Sequence, residues 1–212
     1  DKGLVLPPSI SPEEAVIVPI YKNDTKAAVL TYADAVSAQL KAAGVRVVVD
    51  SDDSSSPGWK FAEWEMRGTP LRIEIGPRDM QAEKLVLARR DTGEKKIVPV
   101  AEAVSIAKEI LADIQKSLYE KAKAFRLEHT QNVADLPGLL EYFGAEGMGT
   151  ADAHGGFARA LWCGSLACEA DLKTKTKATL RCLPLGDQEG IEGSCAVCGA
   201  PAKHRALFAR NY

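Results

Sequence analysis

Four cysteines, Cys163 and Cys168 in C-x4-C spacing and Cys195 and Cys198 in C-x2-C spacing, are the residues of this chain whose type and spacing most directly imply chemistry. Thiolates gathered from two tight turns make a closed tetrahedral shell that suits Zn²⁺, and Gly164, Ser165, Gly193 and Gly199 are residues that bend such turns. Four sulfur ligands leave no open position for water or substrate, so the expected metal is structural rather than catalytic. Two disulfides are the alternative for a secreted chain, but 5 cysteines in 212 residues are sparse for such a scaffold and leave one unpaired. The fifth, Cys182, sits in an alternating strand-like run over residues 179–183 and reads as a buried core thiol. His204 could compete as a ligand, although two cysteine pairs already fill the shell.

A catalytic constellation is harder to find. The chain has no glycine-rich dinucleotide or phosphate loop, no nucleophile elbow and no H-E-x-x-H helix. His154, before Gly155 and Gly156, lacks a neighbouring nucleophile or an orienting carboxylate. The polar residues that stand out are Trp59 and Lys60, which follow Pro57-Gly58 at a helix start, and Arg72, Glu74 and Arg78, on or beside the next strand. Alternation along that strand puts Arg72 and Glu74 on one face, opposite Leu71, Ile73 and Ile75. A face of mixed charge can read the donor and acceptor edges of unstacked bases; a solvated, salt-bridged surface is the plain alternative. Lys173, Lys175, Lys177 and Arg181 form a basic cluster that reads as a solvated face before it reads as an RNA patch.

The elements that must hold these residues follow from periodicity. Pro7, Pro8 and Pro12 mark an extended linker, residues 15–20 an apolar buried strand, residues 25–43 a helix ending before Gly44, and residues 45–49 a second strand. The connection has the length of a parallel βαβ crossover. A short helix over 59–67 ends at Gly68, strands follow over 71–75 and 85–88, and residues 97–100 form an edge strand. A helical stripe then runs from Ala101 to Thr130, about eight turns. A glycine-rich stretch around Gly144–Gly156 precedes the cysteine region, and the boundary between domains is placed near 130–145. The 46% apolar content is ample for real cores, the formal charge of -2 gives no global basic field, and no run of 18 apolar residues is present to cross a membrane. The opening Asp-Lys-Gly reads as the start of a fragment or processed product.

Several segments together resemble prolyl-tRNA synthetase of the archaeal and eukaryotic type: Gly3-Leu4-Val5-Leu6-Pro7-Pro8, Val16-Ile17-Val18-Pro19-Ile20-Tyr21-Lys22, Pro57-Gly58-Trp59-Lys60-Phe61 with Trp64-Glu65, residues 68–79, residues 89–93, Trp162-Cys163-Gly164 and the terminal residues 207–212. The likeness covers essentially the whole chain. It implies a class II synthetase anticodon-binding fold, a mixed sheet flanked by helices, followed by a small α/β domain holding structural Zn²⁺ through Cys163, Cys168, Cys195 and Cys198. It further implies a linker over 1–14 from an upstream catalytic domain, an anticodon-binding domain over 15–130 and a zinc domain over 131–212.

On this resemblance ATP and proline are handled in the upstream domain, which joins proline to tRNA(Pro), and the residues in hand carry no catalytic core. The anticodon loop is expected against the sheet and the helix opening at Trp59, with Lys60, Arg72, Glu74 and Arg78 as contacts to the guanines of proline anticodons. Dimerisation is expected of the family, through a surface that belongs mainly to the upstream part. The expected compartment is the cytoplasm, with an organelle as the alternative. One departure stands out: where the family has an arginine and then an aromatic before Pro-Gly-Trp, this chain has an acidic, serine-rich turn over residues 50–56, which predicts weakened anticodon affinity. That departure also leaves room for a noncatalytic synthetase-derived subunit or scaffold.

Overall fold

Continuous burial and alternation divide the first hundred residues into strands with two unequal faces. β1 (Ala15–Pro19) is buried along its whole length, as befits a central strand covered on both sides. α1 (Lys26–Ala42) buries Val29, Ala33, Val36 and Leu40, one helical stripe, and returns the chain to β2 (Val47–Val49) parallel to β1. α2 (Pro57–Arg67) begins two residues earlier than periodicity alone indicates, because Ser56 caps the Trp59 amide and Pro57 takes the first helical position. β3 (Leu71–Ile75) pairs with the other side of β1, again in parallel. A one-and-a-half-turn α3 (Pro77–Gln81), which periodicity does not reveal, leads into β4 (Lys84–Arg89) and β5 (Lys95–Pro99), both antiparallel. The sheet order is β2-β1-β3-β4-β5. A 3₁₀ turn then opens α4 (Ala103–Glu128).

This computed structural model describes residues 3–144 and 156–210, which fall into two compact units, residues 1–120 and 121–212. In the first, α1 and the start of α4 pack on the face that carries Ile17, Leu71, Ile73, Ile75, Leu85 and Leu87. α2 lies over β1 on the opposite face, where Val16 and Val18 are fully buried. The proline-rich segment before β1 is tied down: Leu4 and Leu6 amides donate to the Met66 and Gly68 carbonyls, and the Arg46 guanidinium donates to the carbonyls of Pro8 and Ser11.

The second unit is a four-stranded sheet in the order β6-β7-β9-β8. β6 (Thr130–Asn132) runs parallel to β7 (Phe157–Trp162), and β9 (His204–Arg210) pairs antiparallel with β7 and with β8 (Ala178–Cys182). α5 (Leu136–Phe143) and α6 (Leu166–Thr176) bury Leu139, Phe143 and Leu172 in its core. Cys182 corrects the sequence reading: it is exposed. The β8–β9 register shifts between Leu180 and Cys182, and the extra residue reverses the alternation that would have turned the thiol inward.

Gly68 closes α2 in the left-handed region (φ +79), and a Cβ there would meet Leu4 Cβ at 2.7 Å. Gly93 shares the backbone (φ +74) with nothing within 4 Å of its missing Cβ. Both Gly→Ala substitutions incur the left-handed penalty of about 1–2 kcal/mol. Urea unfolding of the first unit is expected to show Gly68→Ala as clearly the more destabilising, because it also displaces the Leu4 strap; equal losses would overturn that account.

Candidate nucleic-acid interface and metal centre

Between β2 and α2 a buried charge fixes the interface. Lys60 is 3% exposed, and its Nζ lies 3.0 Å from Asp50 Oδ1 and 2.9 Å from the Asp50 carbonyl oxygen. The second Asp50 oxygen accepts from Trp64 Nε1 at 2.8 Å. Expected as an anticodon contact, Lys60 is buried here and its ammonium is taken up by Asp50. The same acidic turn is satisfied internally elsewhere: Asp52 accepts from the Ser54 amide and hydroxyl, and Asp53 accepts from Tyr21 Oη and pairs with Lys26.

With α2 so held, Phe61 and Glu65 stand beside β3. Arg72 donates from Nε to Glu74 Oε1 at 3.1 Å and from a terminal nitrogen to Glu65 Oε1 at 2.6 Å, with its guanidinium 4.2 Å above the Phe61 ring. Lys95 reaches Glu74 at 2.8 Å from the edge strand. Register explains the gathering: Val16, Arg72, Ala88 and Lys95 form one row across four strands, and Val18, Glu74, Val86 and Ile97 the next. The result is a ladder Glu65–Arg72–Glu74–Lys95 whose ends are half exposed and whose centre is largely covered. Trp59 (57% exposed) and Ile97 (66%) offer apolar surface on α2 and β5. A cavity of about 310 Å³ adjoins Arg72, walled by Trp64, Glu65, Thr69, Arg90 and Asp91. Arg78 is exposed on α3.

Sequence reasoning named Arg72 and Glu74 but missed Lys95, Phe61 and Glu65 as their partners. The cross-strand register brings Lys95 in, and the i, i+4 spacing of Phe61 and Glu65 on α2 was the available signal for the other two.

In the second unit both cysteine turns are fastened to β7. Cys163 follows its last residue, Gly164 turns the chain at φ +84, and Ser165 caps α6 so that Cys168 falls in its first turn. In the other turn the Ala196 amide donates to the Leu161 carbonyl at 2.9 Å and the Gly199 amide to the Cys195 carbonyl at 2.9 Å. The four ligand atoms of Cys163, Cys168, Cys195 and Cys198 lie within 4.8 Å of one another and could hold a metal ion. The Cys163 sulfur is 3.6 Å from that of Cys168 and 3.9 Å from that of Cys198, far beyond a disulfide bond of about 2.05 Å. Burial pushes the Cys168 thiol up. Burial also opposes ionisation of Cys195, but the amides of Cys198, Val197 and Cys163 bring that thiol down to about 7. His204 stands outside this group, its ring against Gly164 and tilted on Trp162. Lys173 and Lys177 are exposed, Lys175 pairs with Asp171, and Arg181 donates to the Ala209 carbonyl. His154 lies outside the described residues.

No helix among the described residues is long and apolar enough to cross a membrane. Residues 14–110 match the family model for an anticodon binding domain, and residues 146–212 match the model for the C-terminal region of prolyl-tRNA synthetase. All of the chain aligns with proline–tRNA ligases of Chloroherpeton thalassium at 46% identity, Lachnospira eligens at 43% and Oceanobacillus iheyensis at 42%. It spans 43%, 42% and 41% of those proteins, about two fifths of their length. With two domain matches in sequence and alignment from end to end, this chain belongs to the prolyl-tRNA synthetase family, as its anticodon-binding and C-terminal portion.

Proposed function

We propose that this chain holds the anticodon loop of tRNA(Pro) for an enzyme that joins proline to that tRNA with ATP, the bond-making residues lying in protein outside these 212. The observation that carries the reading is the ladder Glu65–Arg72–Glu74–Lys95 beside Phe61, largely covered at Arg72 and Glu74 and half exposed at its two ends. Carboxylates accept from the N1 and N2 hydrogens of guanine, while arginine and lysine donate to O6 and N7, so a mixed ladder suits guanine edges in a splayed loop. Because each charge is already paired, it is oriented before RNA arrives, and little ordering remains for binding to impose. Exposed Trp59 supplies a stacking surface, Arg78 a phosphate contact, and Lys60 holds the helix that presents them. A noncatalytic relic is the weaker reading, since both the ladder and the cysteine set are complete. The compartment this function assigns is the cytoplasm, and dimer contacts are assigned to the upstream part.

The four sulfurs fit zinc. A tetrahedron with Zn–S bonds of about 2.3 Å has edges of about 3.8 Å; two of the six sulfur separations, 3.6 and 3.9 Å, bracket that length, and all six lie within 4.8 Å. Bound there, the ion would cross-link the two turns with no coordination position left for catalysis. Backbone amides aimed at the Cys195 sulfur favour the thiolate such an ion needs.

Two measurements test these assignments. Arg72→Ala is expected to cost about 1–3 kcal/mol of affinity for a proline anticodon stem-loop and to erase discrimination against guanine-to-adenine changes, with Arg72→Lys failing to restore it because the forked contact is lost. Unchanged binding by both Arg72→Ala and Trp59→Ala would sink the interface. For the metal, elemental analysis is expected to find one zinc per chain, and Cys195→Ser or a chelator to unfold the second unit while the first keeps its urea transition. Indifference of both units to the chelator would contradict this.

A further inference from the structure

The three carboxylates of the turn before α2 do different work. Asp50 is committed to buried Lys60 and to Trp64, and Asp52 to Ser54 two residues on. Asp53 instead reaches across to the junction of β1 and α1, where Tyr21 Oη donates to its Oδ1 at 2.5 Å and Lys26 pairs with its Oδ2. The pair is open to solvent, with the Lys26 side chain 40% and the Asp53 side chain 53% exposed. It borders a cavity of about 270 Å³ whose wall includes Asn23, Ser55, Pro57 and Lys60. Pro57 is the first residue of α2, two positions from exposed Trp59, so this cavity adjoins the helix end to which stacking was assigned above.

A hydroxyl donor and an ammonium converging on two anionic oxygens are the same donors that receive a phosphate from a nucleic-acid backbone. We propose that Asp53 is an internal competitor for an RNA phosphate, its carboxylate filling the place between Tyr21 Oη and Lys26 Nζ that a backbone phosphate of the bound loop would otherwise take. The proposal rests on the anticodon reading. An exposed ion pair is held weakly and can be displaced, so Asp53 tunes affinity without abolishing it. It removes one sequence-independent contact and leaves discrimination to the Arg72 ladder. A full-charge contact withheld from the backbone also makes binding less sensitive to salt.

The test is the affinity of the whole chain for a proline anticodon stem-loop over a salt series, with Asp53→Asn beside Asp52→Asn. Both variants remove one negative charge from the same turn, but only the first loosens the hold on Tyr21 and Lys26, leaving them one neutral acceptor in place of two anionic ones. Asp53→Asn is expected to bind about fivefold tighter at low salt, with a salt slope steeper by about 0.7, while Asp52→Asn changes little and Lys26→Met in the Asp53→Asn background removes the gain. Equal tightening by both variants would mean a general charge effect and would overturn the proposal, as would an Asp53→Asn protein that binds like the parent. The contact itself has an independent readout: the bond to Asp53, with burial adding to it, raises the Tyr21 phenol to about 12, so tyrosinate absorbance should appear at lower pH in Asp53→Asn. A titration identical to the parent's would overturn the proposal whatever the RNA data. Should neither the parent nor any variant bind the stem-loop, the anticodon reading fails and this proposal with it, whereas failure of Asp53→Asn alone leaves that reading intact.

Discussion

A single buried ion pair decides where Phe61 and Glu65 stand beside β3. Lys60 is nearly devoid of solvent contact, and Asp50 meets its ammonium with a carboxylate oxygen and a carbonyl, while the other carboxylate oxygen takes the Trp64 indole. These three bonds fasten α2 to the end of β2. Their consequence lies a turn away, where Phe61 and Glu65 are delivered to Arg72 at distances a loosely docked helix would not hold. The acidic turn therefore has a structural office at Asp50 distinct from whatever its neighbours do toward ligands.

The ladder that runs from α2 across the sheet to β5 is built by local cancellation. Positive and negative side chains alternate across helix, central strand and edge strand, so the surface carries direction without a strong field. That agrees with a chain whose formal charge is only -2. Recognition by such a face depends on donor and acceptor geometry, and long-range attraction of the phosphate backbone contributes less. The two rows of the sheet that carry it are set by strand pairing, and a one-residue slip of β3 would send Arg72 and Glu74 into the apolar face.

The second unit solves a different problem. Ala158, Ala160 and Ala206 put small side chains on the two central strands of its sheet. Two turns hang from β7, one of them closed by the Ser194–Pro201 bridge, and a metal ion held by the four sulfurs would cross-link them. The glycines at 164, 193 and 199 permit the turns, and at Gly193 a Cβ would meet Leu161 Cδ1 at 2.9 Å.

Period and punctuation alone determined much: the β1–α1–β2 crossover, the helix ended by Gly68, the two-faced β3, the edge strand and the long α4 are all readable from spacing, and so is the grouping of four cysteines into two pairs. Local rules suffice there because the information lies within a few residues. The rest depended on partners distant in sequence. Lys60 looks like a solvated helix residue until Asp50 is brought beside it, and Lys95 joins Glu74 only through a register fixed two strands away. Cys182 turns outward because an extra residue in β8 breaks an alternation that its own neighbours display faithfully. Sequence gives each side chain its chemistry and its local face; tertiary packing decides which charges meet, because burial and pairing are properties of two segments at once.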